Sequence, residues 1–125
     1  MKITITDHRK IFAVQKEFSE MFPYLRLEFY SKQYKRGNSL VKSLMKHISK
    51  SIAECRTKNS SDNIEIQPQT TVSGLKQGFN DVYGLTAEVF RKSGNLWLEI
   101  TDSTDQTLEQ QNGEAKEMSK LQGVM

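Results

Sequence analysis

Few side chains in this sequence are of the types that carry out nucleophilic or metal-assisted catalysis. The imidazoles are those of His8 and His47, and the thiol is that of Cys55. A structural zinc site takes four nitrogen or sulfur ligands, so three scattered residues do not predict one. Cys55 could act as a nucleophile with His47 as its base. Cys55 follows Ile52 and Ala53 in a short partly apolar stretch, however, and a cysteine in such a stretch is usually buried and inert. An enzyme using Cys55 is the least favoured function, and no catalytic residue is predicted.

Acidic residues cluster toward the end of the chain, and carboxylate oxygens are the ligands that Ca²⁺ and Mg²⁺ prefer. The candidates are Glu99, Asp102, Asp105 and Glu109, whose spacing matches no established cation-binding loop. Asp102 and Asp105 are better explained by the end of a strand and the start of a helix, where carboxylates stabilise free backbone N–H groups. No metal ion and no cofactor is predicted.

The segment 31–58 is strongly basic, with eight Lys or Arg residues against the single acid Glu54. Cations interspersed with the stacking faces of Tyr30 and Tyr34 are typical of surfaces that bind single-stranded nucleic acid. The polar tail 101–125 is acidic, so the two charge biases could also neutralise each other within the fold. The cations assigned to the candidate binding surface are Lys32, Lys35, Arg36, Lys42, Lys46 and Lys50.

Two large aromatic residues, Phe90 and Trp97, lie in a predicted β-hairpin. Strand alternation places both on the face opposite Val89, Leu96 and Leu98. Arg91, the cation next to Phe90, is included in the candidate binding surface. Left exposed, this face would attract a protein partner or a second copy of the chain. Covering of the face by the C-terminal segment, which is the favoured alternative, would make both aromatics part of a second layer of core.

An internal repeat predicts the elements that position these residues. The segment 2–30 recurs in hydrophobic outline as 63–91, with a constant offset of 61 residues up to Pro23 and of 60 after it. The recurring positions are apolar, so the repeat predicts a shared core and no activity. The apolar positions that correspond are Ile3, Ile5, Ile11, Val14, Phe18, Met21, Phe22, Leu25, Leu27 and Phe29 with Ile64, Ile66, Val72, Leu75, Phe79, Val82, Tyr83, Leu85, Ala87 and Val89.

Each copy of the repeat is predicted to form a strand, a helix and a strand. Alternation of apolar and polar residues predicts the strands, and apolar spacings of three and four residues predict the helices. The second helix contains Gly74 and Gly78, which close packing against the sheet would explain, and it ends at Gly84. Ser93-Gly94-Asn95 predicts a turn into one further strand that the first copy lacks.

The segment 39–54 between the copies has two interpretations. Leu40, Leu44, Ile48 and Ile52 form one helical stripe, whereas several serines favour an irregular loop. The tail is expected to form a short helix that frays. Two strand–helix–strand units with helices on one face predict an α+β fold, specifically a ferredoxin-like two-layer sandwich. A β-grasp-like sheet, with one unit peripheral, is the alternative.

Length and composition favour one domain spanning residues 1–125, as folding at this size supports a single core. No apolar run reaches the length of a bilayer-spanning helix, and the N-terminal residues alternate where an export signal would be apolar. A single cysteine forms no internal disulfide. A cytoplasmic protein is therefore expected.

The stretch Val89-Phe90-Arg91-Lys92-Ser93-Gly94-Asn95-Leu96-Trp97-Leu98-Glu99, followed by Thr107-Leu108-Glu109-Gln110-Gln111-Asn112, resembles a family of small uncharacterised bacterial proteins of the kind found in Bacteroidetes. The resemblance spans most of the chain. In that family a tryptophan tends to precede the Thr-Leu pair, where this chain has Gln106. The resemblance implies a bacterial α+β protein but supplies no activity and no catalytic residue.

Together these observations favour a non-catalytic protein-interaction module that engages a protein partner or a second copy of itself, without a membrane. The surfaces that could carry the interaction are the predicted hairpin and the basic segment. Binding of single-stranded nucleic acid through 31–58 is the less favoured alternative.

Overall fold

The protein was analysed as a computed structural model, which describes residues 1–36, 39–45 and 48–123, with the side chains of 31–36, 39–43 and 122–123 left out. Six strands and four helices follow each other in the described ranges. The strands are β1 (Ile3–Ile5), β2 (Leu25–Arg36), β3 (Ser39–Leu44), β4 (Ile64–Ile66), β5 (Thr86–Ser93) and β6 (Leu96–Glu99). The helices are α1 (Ile11–Met21), α2 (Ile52–Cys55), α3 (Val72–Tyr83) and α4 (Leu108–Gly123).

The helices begin and end for local reasons that differ between the copies. The hydroxyl of Thr71 accepts a hydrogen bond from the N–H of Gly74 and so caps α3. Helix α1 follows Lys10, whose side chain makes no capping hydrogen bond. Helix α3 ends at Gly84, whose φ of 67° is a left-handed conformation that glycine adopts without strain.

The strands form two antiparallel sheets. Strand β1 pairs with β4 in a two-stranded sheet, and the other four strands lie in the order β3-β2-β5-β6. Thr4 lies opposite its own repeat equivalent, Glu65, in the first sheet. In the second sheet Glu28 lies opposite its equivalent, Glu88. The two copies are therefore related by a pseudo-two-fold axis that passes through both residue pairs.

The equivalence of the two copies continues beyond residues 30 and 91. An isolated bridge joins Lys10 to Ser51 in the first copy, and another joins Thr71 to Thr107 in the second. The repeated unit is thus strand, helix, strand, strand, helix, and the first copy has its own hairpin and final helix. The backbone hydrogen bonds beside the bridges correspond as well. In the first copy the N–H of Ile11 donates to Lys50 and that of Ile52 donates to Arg9. In the second copy the N–H of Val72 donates to Gln106 and that of Leu108 donates to Thr70.

This topology corrects several sequence-based expectations. The α+β class is confirmed, but the ferredoxin-like arrangement is not, because the first strands of the copies form a sheet of their own. The copies contribute the same elements, which does not support a β-grasp-like sheet with one peripheral unit. The segment 39–54, for which the sequence allows both a helix and an irregular loop, contains strand β3 and the start of the short helix α2 in its described residues. The C-terminal helix, expected to be short, has 16 residues.

The core is formed by residues of both sheets and of the helices that pack on them, and it is filled equally by both copies. Phe29 of the first copy packs edge-on against Phe79 of the second, with ring centroids 5.0 Å apart. The hydroxyl of buried Tyr83 donates a hydrogen bond to the carbonyl of Ile5 at 3.2 Å. Such contacts make the copies parts of one apolar cluster. Within the described ranges, no helix is both long and apolar enough to cross a membrane.

Candidate interaction surface

The hairpin of the second copy, defined here as strands β5 and β6, is built on a two-residue turn. Gly94 has a φ of 62°, whereas the φ of Asn95 is not positive. Glycine at the first central position is typical of a type II′ turn, whose twist matches that of paired strands. Ser93 pairs with Leu96 directly beside the turn, so the predicted hairpin is confirmed.

Strand β6 forms one edge of the four-stranded sheet, and no other described strand pairs with its outer side. The N–H of Ile100 donates to the carbonyl of Val89, so by alternation the backbone groups of Trp97 point away from β5. Leu96 is 65% exposed and Leu98 is 42% exposed. Edge strands are usually protected by lysine, proline or a bulge, and β6 has none of these. It is an apolar edge that is open for pairing.

The outer face of the hairpin carries Phe90 and Trp97, as predicted. Phe90 pairs with Glu99 and Lys92 with Trp97, which places both aromatics on one face. Each is half-buried. The Cζ atom of Arg26 lies 5.5 Å from the centroid of the Trp97 ring, a cation–π contact. Among the described residues, Arg26 packs on the tryptophan ring, whereas α4 lies on the opposite face of the hairpin, so the covering by the C-terminal segment that the sequence favoured is not found there.

Helix α4 lies on the other side of the hairpin, the side of Arg91 and Ser93. Between them is an open groove of about 760 Å³. One wall carries Arg91 and Ser93, with Lys92 at its margin, and the other carries acidic residues of α4. In the described part of the chain, the ion pairs include neither Arg91 nor Lys92. The acidic residues of the helix wall are Glu109, Glu114 and Glu117.

The hairpin of the first copy, β2 with β3, is longer than its counterpart. Strand β2 pairs with β5 only from Leu25 to Tyr30, and from Lys32 to Arg36 it pairs with β3 alone. The hairpin therefore continues as a two-stranded ribbon beyond the rest of the sheet. The structure describes the backbone but not the side chains of four predicted binding residues, Lys32, Lys35, Arg36 and Lys42. A fifth, Lys46, lies outside the described residues. Lys50 is exposed just before α2.

A pair of carboxylates on the pseudo-two-fold axis was missed by the sequence-based search. Glu28 and Glu88 lie opposite each other, an arrangement that is destabilising for like charges unless each has a partner. Gln15 Nε2 lies 3.3 Å from Glu28 Oε2, and Lys76 Nζ lies 3.0 Å from Glu88 Oε2. Gln15 and Lys76 are themselves equivalent in the repeat. The sequence contained one signal for this pair, because the two glutamates are separated by the repeat offset of 60 residues.

The residues considered for chemistry are not brought together. Cys55 is half-buried, and burial raises the pKa of its thiol, which is the opposite of what a nucleophile requires. Its suggested base, His47, lies outside the described residues. Among the residues that are described, no group of three or more His, Cys, Asp or Glu side chains is placed to hold a metal ion.

Comparison of the chain with protein-family models, with curated proteins and with solved structures found no match. The resemblance to a Bacteroidetes-type family thus remains a hypothesis drawn from residues 89–112.

Proposed function

We propose that this protein is a non-catalytic interaction module whose docking surface is the β5–β6 hairpin. The observation that carries the proposal is the open apolar edge of β6, where Leu96 and Leu98 are 65% and 42% exposed. An extended segment of a partner can add to such an edge through backbone hydrogen bonds, while pockets beside the strand select its side chains. The groove between the hairpin and α4 supplies such a pocket.

A comparison with exposed apolar residues elsewhere in the protein supports the hairpin as the docking surface. Phe12, on α1, is 44% exposed and donates its backbone N–H to Ile48, which is 41% exposed, but neither residue belongs to a strand and neither offers a strand edge. Single exposed apolar side chains are normal on soluble domains, whereas grouped ones mark interaction sites. Leu96 and Leu98 form such a group on one strand, with Met118 of α4 lining the adjacent groove.

The test uses a hairpin variant, Leu96→Lys with Leu98→Lys, and a matched control, Phe12→Lys. Proteins captured from a cell extract by the unmodified chain are purified and titrated against all three forms. We expect at least a roughly tenfold loss of affinity for the hairpin variant and none for the control, since a tenfold loss corresponds to only about 1.4 kcal/mol. The proposal is wrong if no binding, including binding to further copies of the chain, depends on the hairpin.

A second function, binding of nucleic acid through the basic segment, is favoured by the β2–β3 ribbon. The ribbon sequence from 31 to 44 includes four cations and no acid. Helix α4, the acidic helix that could have neutralised it, packs instead on β5 and contacts β2, and its Asn112 accepts a hydrogen bond from the N–H of Tyr24 just before that strand begins. A basic ribbon that extends beyond the sheet is suited to phosphate contacts.

This second function has a separate test. Fluorescence anisotropy with a labelled single-stranded oligonucleotide should show binding that weakens steeply between about 50 and 200 mM salt, because phosphate contacts release counterions. Substituting Lys32, Lys35 and Lys42 by Gln should reduce the salt dependence, whereas Lys16→Gln, on α1, should leave it unchanged. Absence of binding at the lowest salt concentration would exclude this function.

A further inference from the structure

We infer that the partner of the β5–β6 hairpin is a second copy of this chain, paired antiparallel along β6. The inference rests on the interaction function proposed above and names its partner. A pairing of two copies through the same edge with two-fold symmetry is necessarily antiparallel, so each residue faces a defined residue of the other copy. The sequence of β6 can therefore be examined for self-complementarity.

One register makes β6 complementary to itself. With Trp97 on the two-fold axis, Leu96 of each copy faces Leu98 of the other on the groove side. The outward-pointing backbone groups of the two Trp97 residues then exchange two hydrogen bonds. The register centred on Leu98 would instead place Leu96 opposite Ile100, which is only 4% exposed because it belongs to the core. The Trp97-centred register is thus the one in which both exposed leucines are covered.

The distribution of charged residues around β6 also favours a second copy of the chain as the partner. In the Trp97-centred register, Glu99 of one copy faces Asn95 of the other, so no like charges are opposed along the strand. The groove beside β6 has a basic wall, which carries Arg91, and an acidic wall on α4. A surface that carries both signs is complementary to its own two-fold image, because the basic wall of one copy can meet the acidic wall of the other.

The opposite edge of the same sheet is protected against such pairing. Strand β3 includes Lys42, and lysine on an edge strand is a common protection against association. Strand β6 is its equivalent in the repeat but has the sequence Leu96 to Glu99 without a cation. Pairing through β6 would extend the four-stranded sheet to one of eight strands, with both β3 strands at the outer edges.

The first experiment measures mass by sedimentation equilibrium over roughly 1 to 500 µM, since a short edge gives a small interface and weak association. The unmodified chain should become dimeric as concentration rises. A lysine form, with Leu96→Lys and Leu98→Lys, and a glutamate form, with Leu96→Glu and Leu98→Glu, should each remain monomeric. Their equimolar mixture should form a one-to-one dimer, and Phe12→Lys should dimerise like the unmodified chain.

A cross-linking experiment in a Cys55→Ser background tests the register. Trp97→Cys places a thiol on the axis, where the Cα atoms of a hydrogen-bonded pair are about 5.5 Å apart and a disulfide can form. Trp97→Cys should cross-link on mild oxidation at least about tenfold faster than Leu98→Cys. Faster cross-linking of Leu98→Cys overturns the register and with it the inference.

The outcomes separate this inference from the function on which it rests. A chain that stays monomeric at all concentrations but binds another protein through the hairpin overturns the inference and leaves the proposed function standing. A monomeric chain without any hairpin-dependent binding overturns both. A dimer that the lysine and glutamate forms do not disrupt also overturns the inference.

Discussion

The two copies of the repeat differ most in their hairpins. The first hairpin, β2 with β3, continues beyond the sheet as a basic ribbon, whereas the second, β5 with β6, is short and has exposed leucines at its edge. Both hairpins return to the core at equivalent points: the N–H of Met45 donates to the carbonyl of Phe29, and that of Ile100 donates to Val89. The core therefore sets where a hairpin begins and ends but not its length or its surface.

This difference teaches that the copies can diverge on the surface while remaining equal inside. Phe18 and Phe79 are equivalent and fully buried, and so are Ile52 and Leu108 in the final helices. Beyond Val89 and before Ile100, the residues of the second hairpin are not part of the buried cluster, so changes there should alter recognition more than folding. The following substitutions compare equivalent positions and are ordered from the largest expected effect to the smallest.

The largest effect should come from the two equivalent core phenylalanines. Phe18→Ala and Phe79→Ala should each lower the free energy of unfolding by about 3–5 kcal/mol, because each leaves a cavity in a fully buried site. Since Phe79 packs across the copies on Phe29, both variants should shift a single urea transition. Phe12→Ala, at an exposed position, is the control and should change stability by less than about 0.5 kcal/mol. Two separable transitions would show that the copies unfold independently.

The shared interior is also the part that the sequence predicts well. Apolar spacing predicts β1, α1, β4 and α3, since half-buried elements repeat their buried positions with the period of the backbone. The second half of the first copy was missed because Leu40 and Leu44 fit a helical stripe as well as a strand. Their strand conformation comes from pairing with β2, a tertiary interaction that periodicity does not contain.

The candidate site was predicted only in part. The hairpin, its turn and the common face of Phe90 and Trp97 follow from alternation. The exposure of Leu96 and Leu98 does not, because it depends on β6 lying at the edge of the sheet, beyond the apolar layer. Strand order is determined by contacts between distant segments, and the sequence pattern of one strand does not specify its neighbours.

The next largest effect should distinguish Lys76 from its equivalent, Gln15. Lys76→Ala should lower stability by about 1–3 kcal/mol, because it removes a cation that lies beside the buried carboxylate of Glu88. Gln15→Ala should cost about 1 kcal/mol or less, because Gln15 is uncharged and the carboxylate of Glu28 is only half-buried. Chemical denaturation measures both, with the exposed Lys16→Ala as control. Equal losses at the two positions would mean that the charge of Lys76 is unimportant.

A smaller effect, of opposite sign, is expected at the glycines of α3. Close packing was expected to explain both, but a Cβ at Gly78 would meet nothing nearer than Ile64 at 4.0 Å. At Gly74 it would lie 2.8 Å from the capping hydroxyl of Thr71. Gly78→Ala should therefore raise the free energy of unfolding by about 0.5–1 kcal/mol, and Gly74→Ala should not. Thermal unfolding compares them, and a destabilised Gly78→Ala would contradict this account.

The smallest effect should appear in the caps of the final helices, where the copies differ by a charge. In α2 the Ser51 backbone N–H donates to Glu54 Oε1, and in α4 the Thr107 backbone N–H donates to Gln110 Oε1. Hydrogen bonds from the backbone and hydroxyl of Ser51 lower the pKa of Glu54 from its usual 4.5. Its contribution is thus present above pH 4.5 and is lost as the pH falls through the lowered value.

Glu54→Gln gives the first copy the uncharged cap of the second and so tests this difference directly. The unmodified chain should unfold at a higher temperature than Glu54→Gln at neutral pH, and the difference should disappear in acid, because the protonated carboxyl no longer benefits from its donors. The reverse change, Gln110→Glu, should introduce the same pH dependence into α4, where a carboxylate at the third helical position can accept from the cap in the same way. Melting temperatures measured from about pH 2 to pH 7 compare the three forms. A difference between the unmodified chain and Glu54→Gln that stays constant across this range would show that packing or side-chain propensity, and not the charge, distinguishes the two caps.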